Sequence, residues 1–216
     1  MQKVTSTAVR PAVSLTAARL SIAAGAATLV LLAALHVISP EFDPSWRMVS
    51  EYALGNHGWV LALMFLAWAL SCVTLFFAIK SQIRTVGGKI GLGHLLAAAV
   101  GMSMAAIFDA SHDLHGLAAM IGIPSLPIAA MLISVSLVIR NPAWSSARRL
   151  LLWTANLTWI SLVLMFATVF IGLSQSGGEF GPHVLAGWPN RLLVVAYCAW
   201  LITTARSADR LLGQGS

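Results

Sequence analysis

Charge is what this sequence has least of. Asp, Glu, Lys and Arg make up only 9% of its 216 residues, where a soluble globular chain carries roughly 25%. That excludes a water-facing surface over most of the chain, and with it a soluble domain, a coiled coil and a disordered segment. Cysteine is nearly absent as well. Cys72 and Cys198 are the two, both inside apolar stretches. A disulfide framework is excluded, and no CxxC or CxxCH spacing exists to carry an iron–sulfur cluster or covalent haem. A Walker loop, a dinucleotide-binding GxGxxG after a strand and a GxSxG nucleophile turn are also missing.

What is present is apolar. Hydrophobic residues make up 58%, and the mean hydropathy is +0.84. A bilayer-crossing helix needs about 20 mainly apolar residues. Six stretches qualify, at about 20–38, 58–79, 90–109, 117–139, 150–173 and 189–205. The alternating pattern of a barrel strand is absent, and open backbone cannot face lipid. The expected fold is therefore all-α: a polytopic membrane bundle of six transmembrane helices, forming a single integral membrane domain over 1–216. The first 19 residues spread Lys3, Arg10 and Arg19 over a polar stretch with no cleavage site after a short apolar core. The first span is expected to stay as an anchor.

The basic residues divide unequally between the two ends of such a bundle. Lys3, Arg10, Arg19, Lys80, Arg84, Lys89, Arg140, Arg148, Arg149, Arg206 and Arg210 fall on one side, and only Arg47 and Arg191 on the other. Cytoplasmic loops are the Lys/Arg-rich ones, so both termini are expected in the cytoplasm of a bacterial cell, with the chain in its inner membrane. Six of the seven acids, Glu41, Asp43, Glu51, Asp109, Asp113 and Glu179, lie on the opposite, outer side; Asp209 lies inside. The pI near 10.2 is thus a topology signal that gives no reason to invoke nucleic acid. Trp46, Tyr52, Trp59 and Trp188 are expected at the outer interface, Trp144 and Trp153 at the inner one.

Within the spans, Gly93, Ala97, Gly101 and Ala105 recur every four residues. Such a row lets helix backbones approach in lipid, and it points the following Asp109 into the bundle. Pro124 and Pro127 are expected to bend the fourth helix.

Polar chemistry gathers at the outer side. His36, His57, His112, His115 and His183 lie there, and only His94 near the inner end. If the third helix runs on through Asp109-Ala-Ser-His112-Asp113-Leu-His115, then Asp109, His112 and Asp113 share one face at i, i+3 and i+4. Imidazole and carboxylate one turn apart can ligate a metal or act as an acid–base pair; a solvated helix end is the alternative. The glycine-rich segment 174–183 is either a lid that brings in His183 or a plain connector. His36 either caps its own helix or joins the cluster. Arg191, at the start of the last span, either snorkels to headgroups or is held by Asp109 or Glu51; an ion pair is expected, given the cost of an unpaired guanidinium away from water.

The densest segment is the first outer loop, whose run SPEFDPSWRMVSEYALG spans Ser39–Gly55. This run resembles the signature of a family of bacterial integral membrane proteins catalogued as domain of unknown function 998. Six spans and a length near 200 residues also fit that family, which implies a membrane bundle and no assigned activity. A looser likeness is to the alkaline ceramidase and adiponectin-receptor superfamily, which gathers His, Asp and Ser at one membrane face. That group has seven spans and an HxxxH pair; this chain has six and none.

Three functional readings follow. The first is a hydrolase or transferase acting on outer-leaflet lipid, with His112, His115, His183 and His36 as candidate zinc ligands. Asp109, Ser50 and Glu51 would then be its candidate catalytic groups, and the zinc would activate water. The second is a non-enzymatic membrane subunit or lipid-binding scaffold, packed on another membrane protein. The third, weaker, is non-covalent haem between facing histidines such as His36 and His112. Transport has least support, because no span carries a mid-membrane acid or Lys. The charge division makes the firmest prediction: reporter fusions in the 80–89 loop and at Ser216 both read cytoplasmic. A periplasmic reading at either site would overturn the six-span orientation.

Overall fold

The computed structural model describes residues 13–213. Lys3, Arg10 and Ser216 lie outside these residues, as does the side chain of Arg140. Six long helices follow one another: α1 Val13–Ile38, α2 Gly58–Ile79, α3 Val86–Ile107, α4 Leu114–Arg140, α5 Arg148–Gln175 and α6 Gly187–Gly213. No strand occurs among the described residues. All six are long and apolar enough to cross a membrane, so the chain is a multi-pass helical bundle, as its hydropathy predicts. The helices outrun the predicted spans at several ends because hydropathy marks only the part suited to hydrocarbon. The flanking turns, such as those holding Arg148 and Arg206, are helical but polar.

The six helices close into a ring in which each packs on its chain neighbours and α1 packs on α6. α2, α4 and α6 are the most buried of the six helices, and α1 and α5 the least. In lipid, large aliphatic groups gain little from facing inward, so size and hydrogen bonding sort the faces instead. Ser21, Thr28, Ser71, Ser134, Thr158, Ser161 and Thr204 are buried, whereas Val30, Val100, Ile160, Val163 and Phe170 point outward. Ser21 and Ser71 tie α1 to α2 reciprocally, each hydroxyl donating to the other's carbonyl at 2.9 Å. At the end holding the second and fourth connections, Arg19 pairs with Asp209 at 3.0 Å. That pair is largely exposed and contributes little.

α3 and α4 approach most closely where glycine meets glycine: a Cβ on Gly101 would lie 2.5 Å from the Gly122 Cα. The row at spacing four does not supply the rest of this face. Gly93 is exposed with nothing within 4 Å of a would-be Cβ, while Gly88 and Gly91 pack on Ser136 and Ile133. A helix turns about 100° per residue, so a step of four drifts about 40° each time and walks off the interface.

Pro124 and Pro127 sit inside a continuous α4. Pro127 has no N–H for the carbonyl of Ile123, four residues earlier. Tyr197 of α6 replaces it, its hydroxyl donating to the Ile123 oxygen at 2.8 Å. An orphaned carbonyl there would cost about 1–3 kcal/mol. Tyr52 and Trp144 are fully buried; each packs within a connection that folds back over the bundle end.

Candidate functional site

The end of the bundle holding the first, third and fifth connections is organised by one side chain. Arg191 lies in the first turns of α6 and is only 4% exposed. Its Nε donates to His36 Nε2 at 2.7 Å. One terminal nitrogen donates to the carbonyls of Arg47 at 2.7 Å and Gly187 at 3.0 Å; the other donates to the Tyr52 hydroxyl at 2.9 Å. The guanidinium also lies beside the rings of Tyr52 and Trp188. Because His36 Nε2 accepts, its ring proton is on Nδ1, which donates to the Leu32 carbonyl at 2.7 Å. A single residue thereby ties the end of α1, the first connection and the start of α6.

The expected partners of Arg191 are corrected by this arrangement. Neither Asp109 nor Glu51 forms an ion pair with it; four neutral acceptors hold it instead. Glu51 is engaged within its own loop, taking Arg47 at 2.7 Å and the Met48 backbone N–H at 2.6 Å at the start of the 3-10 helix Val49–Leu54. Neutral acceptors win because the tight loop brings the Arg47 carbonyl and the Tyr52 hydroxyl to the guanidinium while the Glu51 carboxylate is already spent as a cap. The Asp43 carboxylate is held below the usual range by the backbone N–H of Ser45, at 2.9 Å, then by the Ser45 side chain, with Arg191 adding a smaller pull.

The start of α6 is fitted against the same loop. Gly187 N–H donates to the Ser45 carbonyl at 3.1 Å, and a Cβ on Gly187 would strike the Pro44 carbonyl. Asn190 Oδ1 accepts the Val49 N–H at 2.8 Å. The segment SPEFDPSWRMVSEYALG is therefore a folded cover whose residues hold one another and α6. Ser50 lies half-buried on its underside, facing a cavity, with no hydrogen bond to Glu51 or Asp109.

The His/Asp cluster does not assemble. α3 stops at Ile107, so Asp109 is an exposed turn residue, bonded to the N–H of Ser111 at 2.9 Å and to its hydroxyl at 2.5 Å. Those bonds, the hydroxyl first, lower its pKa, with His112 and His115 assisting. His112 is exposed; its Nδ1 accepts the Leu114 N–H at 3.1 Å and its ring lies against Phe108. His115 bonds the Phe108 carbonyl at 2.9 Å. His183 is exposed on the fifth connection. That connection is no loose lid: Gly177 and Gly178 take positive φ of 70° and 95°, and the Gly178 N–H returns to the Leu173 carbonyl at 2.8 Å, a helix-ending motif that needs glycine. Among the described residues, no three of His, Cys, Asp and Glu group to hold a metal. His36 has no lone pair left for zinc or haem iron, since one nitrogen accepts from Arg191 and the other carries the proton.

The structure shows instead a feature that motif reading passes over. Beneath the cover lies a cavity of about 640 Å³, within the range of small-molecule sites. It is walled by α2 through α6. Met48, Met102, Met120 and Met165, half the methionines of the chain, line it. Ser50, His115 and Asn190 bring polar atoms at the covered end, and Trp68 stands deeper. Its exposed lining side chains are Met120 of α4 and Phe166 of α5, which places an opening sideways between these helices.

The family model described as Protein of unknown function (DUF998) matches residues 22–207, in keeping with the resemblance of the first loop. No curated protein and no solved structure matches.

The hub makes a ranking prediction for unfolding in one detergent. Arg191→Lys lacks the fork needed for four acceptors and leaves several unpaired, costing about 2–4 kcal/mol. Glu51→Gln keeps an acceptor for the Met48 N–H and costs at most about 1 kcal/mol. The reverse order would overturn the hub.

Proposed function

We propose that this chain, which belongs to the family Protein of unknown function (DUF998), binds the apolar chain of a membrane lipid in the covered cavity. The observation that carries the reading is the cavity's lining. Only Ser50, His115, Asn190 and Trp68 bring polar side-chain atoms; the rest is aliphatic, aromatic or methionine. Methionine is unbranched and polarisable, so four of them make a wall that adapts to a flexible chain. The opening between α4 and α5 faces the level of the hydrocarbon, where such a chain already resides.

The charge division of the sequence supports an orientation for this reading, with both termini cytoplasmic and the cavity in the extracytoplasmic half of an inner membrane. The lipid would then come from the outer leaflet, and its headgroup would sit near Ser50, His115 and Asn190. This is a lipid-binding role, which a scaffold or a membrane subunit can use. The hydrolase reading needs a converging set of acid, base or metal ligands. No such set lines the cavity: Glu51 is bonded to Arg47 and Met48 and Asp109 to Ser111, and neither is among the lining residues.

Native mass spectrometry tests the reading. Wild-type protein taken from membranes in mild detergent is expected to retain about one lipid per chain. Ala119→Phe, placed on the half-buried α4 wall, is expected to lose it while unfolding at a similar temperature. A lipid-free wild type, or equal retention by the folded variant, would contradict lipid binding in this cavity.

A further inference from the structure

Three side chains bring hydrogen-bonding groups to the covered end of the cavity, and two of them are free to meet a ligand. Asn190 is spent: its Oδ1 accepts the Val49 N–H at 2.8 Å and its Nδ2 donates to the Met165 sulfur at 3.3 Å. Ser50 Oγ and His115 Nε2 have no hydrogen bond among the described residues. Both residues are half-buried, yet neither atom is sealed off. Among the described residues, Trp68 Nε1 is the one enclosed side-chain nitrogen or oxygen without a partner, and no ligand reaches it.

The ring of His115 has a fixed direction. Its Nδ1 bonds the Phe108 carbonyl at 2.9 Å, and Phe108, just past the end of α3, is not a lining residue. The Nδ1 edge is therefore turned away from the cavity, and Nε2 lies on the far side of a ring that lines it. A carbonyl only accepts, so the proton is on Nδ1 and the neutral ring offers Nε2 as an acceptor. Ser50 is held by its chain neighbours, through the Val49 N–H on Asn190 and the Glu51 carboxylate on Arg47 and Met48. Its hydroxyl can donate as well as accept.

Charge restricts the ligand further. No lining residue is Lys, Arg, Asp or Glu. Arg47 is committed to Glu51 and Arg191 to its four acceptors. Asp109 lies close enough to His115 to feel its charge, which opposes a second anion there. A phosphate or carboxylate would enter this end without a cation to pair with, at a high desolvation cost. Resting on the lipid-binding reading above, we infer that the lipid is uncharged and carries free hydroxyls on its headgroup, as a monoacylglycerol does. One hydroxyl donates to His115 Nε2, a second oxygen accepts from Ser50, and the acyl chain runs on among Met102, Met165 and Leu193.

The test compares three probes with one chain: 1-oleoylglycerol, its 2,3-di-O-methyl ether, which has no O–H, and 1-oleoyl lysophosphatidic acid. Binding to full-length protein in nanodiscs is measured for wild type, Ser50→Ala and His115→Asn. The Asn amide nitrogen can keep the bond to the Phe108 carbonyl but offers nothing in place of Nε2, so this variant is expected to unfold near the wild-type temperature. Wild type is expected to prefer oleoylglycerol over the dimethyl ether by about threefold to tenfold, the worth of one hydrogen bond. It is expected to bind the lysophosphatidic acid at least about tenfold more weakly than oleoylglycerol. His115→Asn is expected to bind oleoylglycerol and its ether alike, and Ser50→Ala to weaken both. Equal binding of all three probes by wild type means that the cavity takes a chain without reading its headgroup, and overturns the inference. So does tightest binding of the lysophosphatidic acid, or a hydroxyl preference that survives in both variants. If no probe binds wild type while protein taken from membranes still retains a lipid, the inference fails and the lipid-binding reading stands; if none is retained either, both fail.

Discussion

A guanidinium cannot lose its charge, so burying one obliges the surrounding chain to bring acceptors to it. Arg191 is buried near the end of a helix that belongs to a membrane, and the fold at that end follows from satisfying it. The α1 terminus supplies His36, the first connection supplies the Arg47 carbonyl and the Tyr52 hydroxyl, and α6 supplies the Gly187 carbonyl. Each is fixed in turn: His36 by Leu32, Tyr52 by Phe42 packed against it, the loop backbone by Glu51 and Asn190. The first connection therefore becomes a rigid cover. Through Met48, Val49 and Ser50 the same cover lines one part of the cavity.

The same logic of replaced hydrogen bonds shapes the walls. Pro127 in α4 frees the Ile123 carbonyl, and Tyr197 takes it up, so that oxygen is not left unpaired inside the bundle. Glycine at 101 and 122 draws α3 and α4 together on one side, while α4 and α5 present Met120 and Phe166 to the outside on the other. Close packing at one seam and a looser one at the next give a compartment with a lateral entrance. Trp68 is the place where this bookkeeping is left incomplete.

Six long apolar helices were legible because hydrocarbon imposes a length and a composition on any helix that crosses it. The signature run was legible as a family mark, but its physical role was not. Arg47, Glu51 and Tyr52 look like a charged surface loop until Arg191 is known to reach under it from 140 residues away. The expectation that Asp109 and His112 share a helical face assumed that α3 continues; it ends at Ile107, where the chain must turn to reach α4. The cavity left almost no trace in sequence, since Met, Ala and Leu look alike whether they line a void or fill one. Spacing says which residues share a helix face, not which facing pairs leave room.

The central claim is that a lipid chain enters the bundle and does not merely coat it. Photolabelling settles this most directly. A phospholipid with a diazirine partway along its acyl chain is incorporated into the bilayer, irradiated, and its attachment sites are read from peptides. Outward residues such as Val163 and Phe170 are labelled in either case. The account predicts additional labelling at Met102, Met165 and Leu193, which are buried and line the cavity. Labels confined to the outward faces of the helices would contradict it.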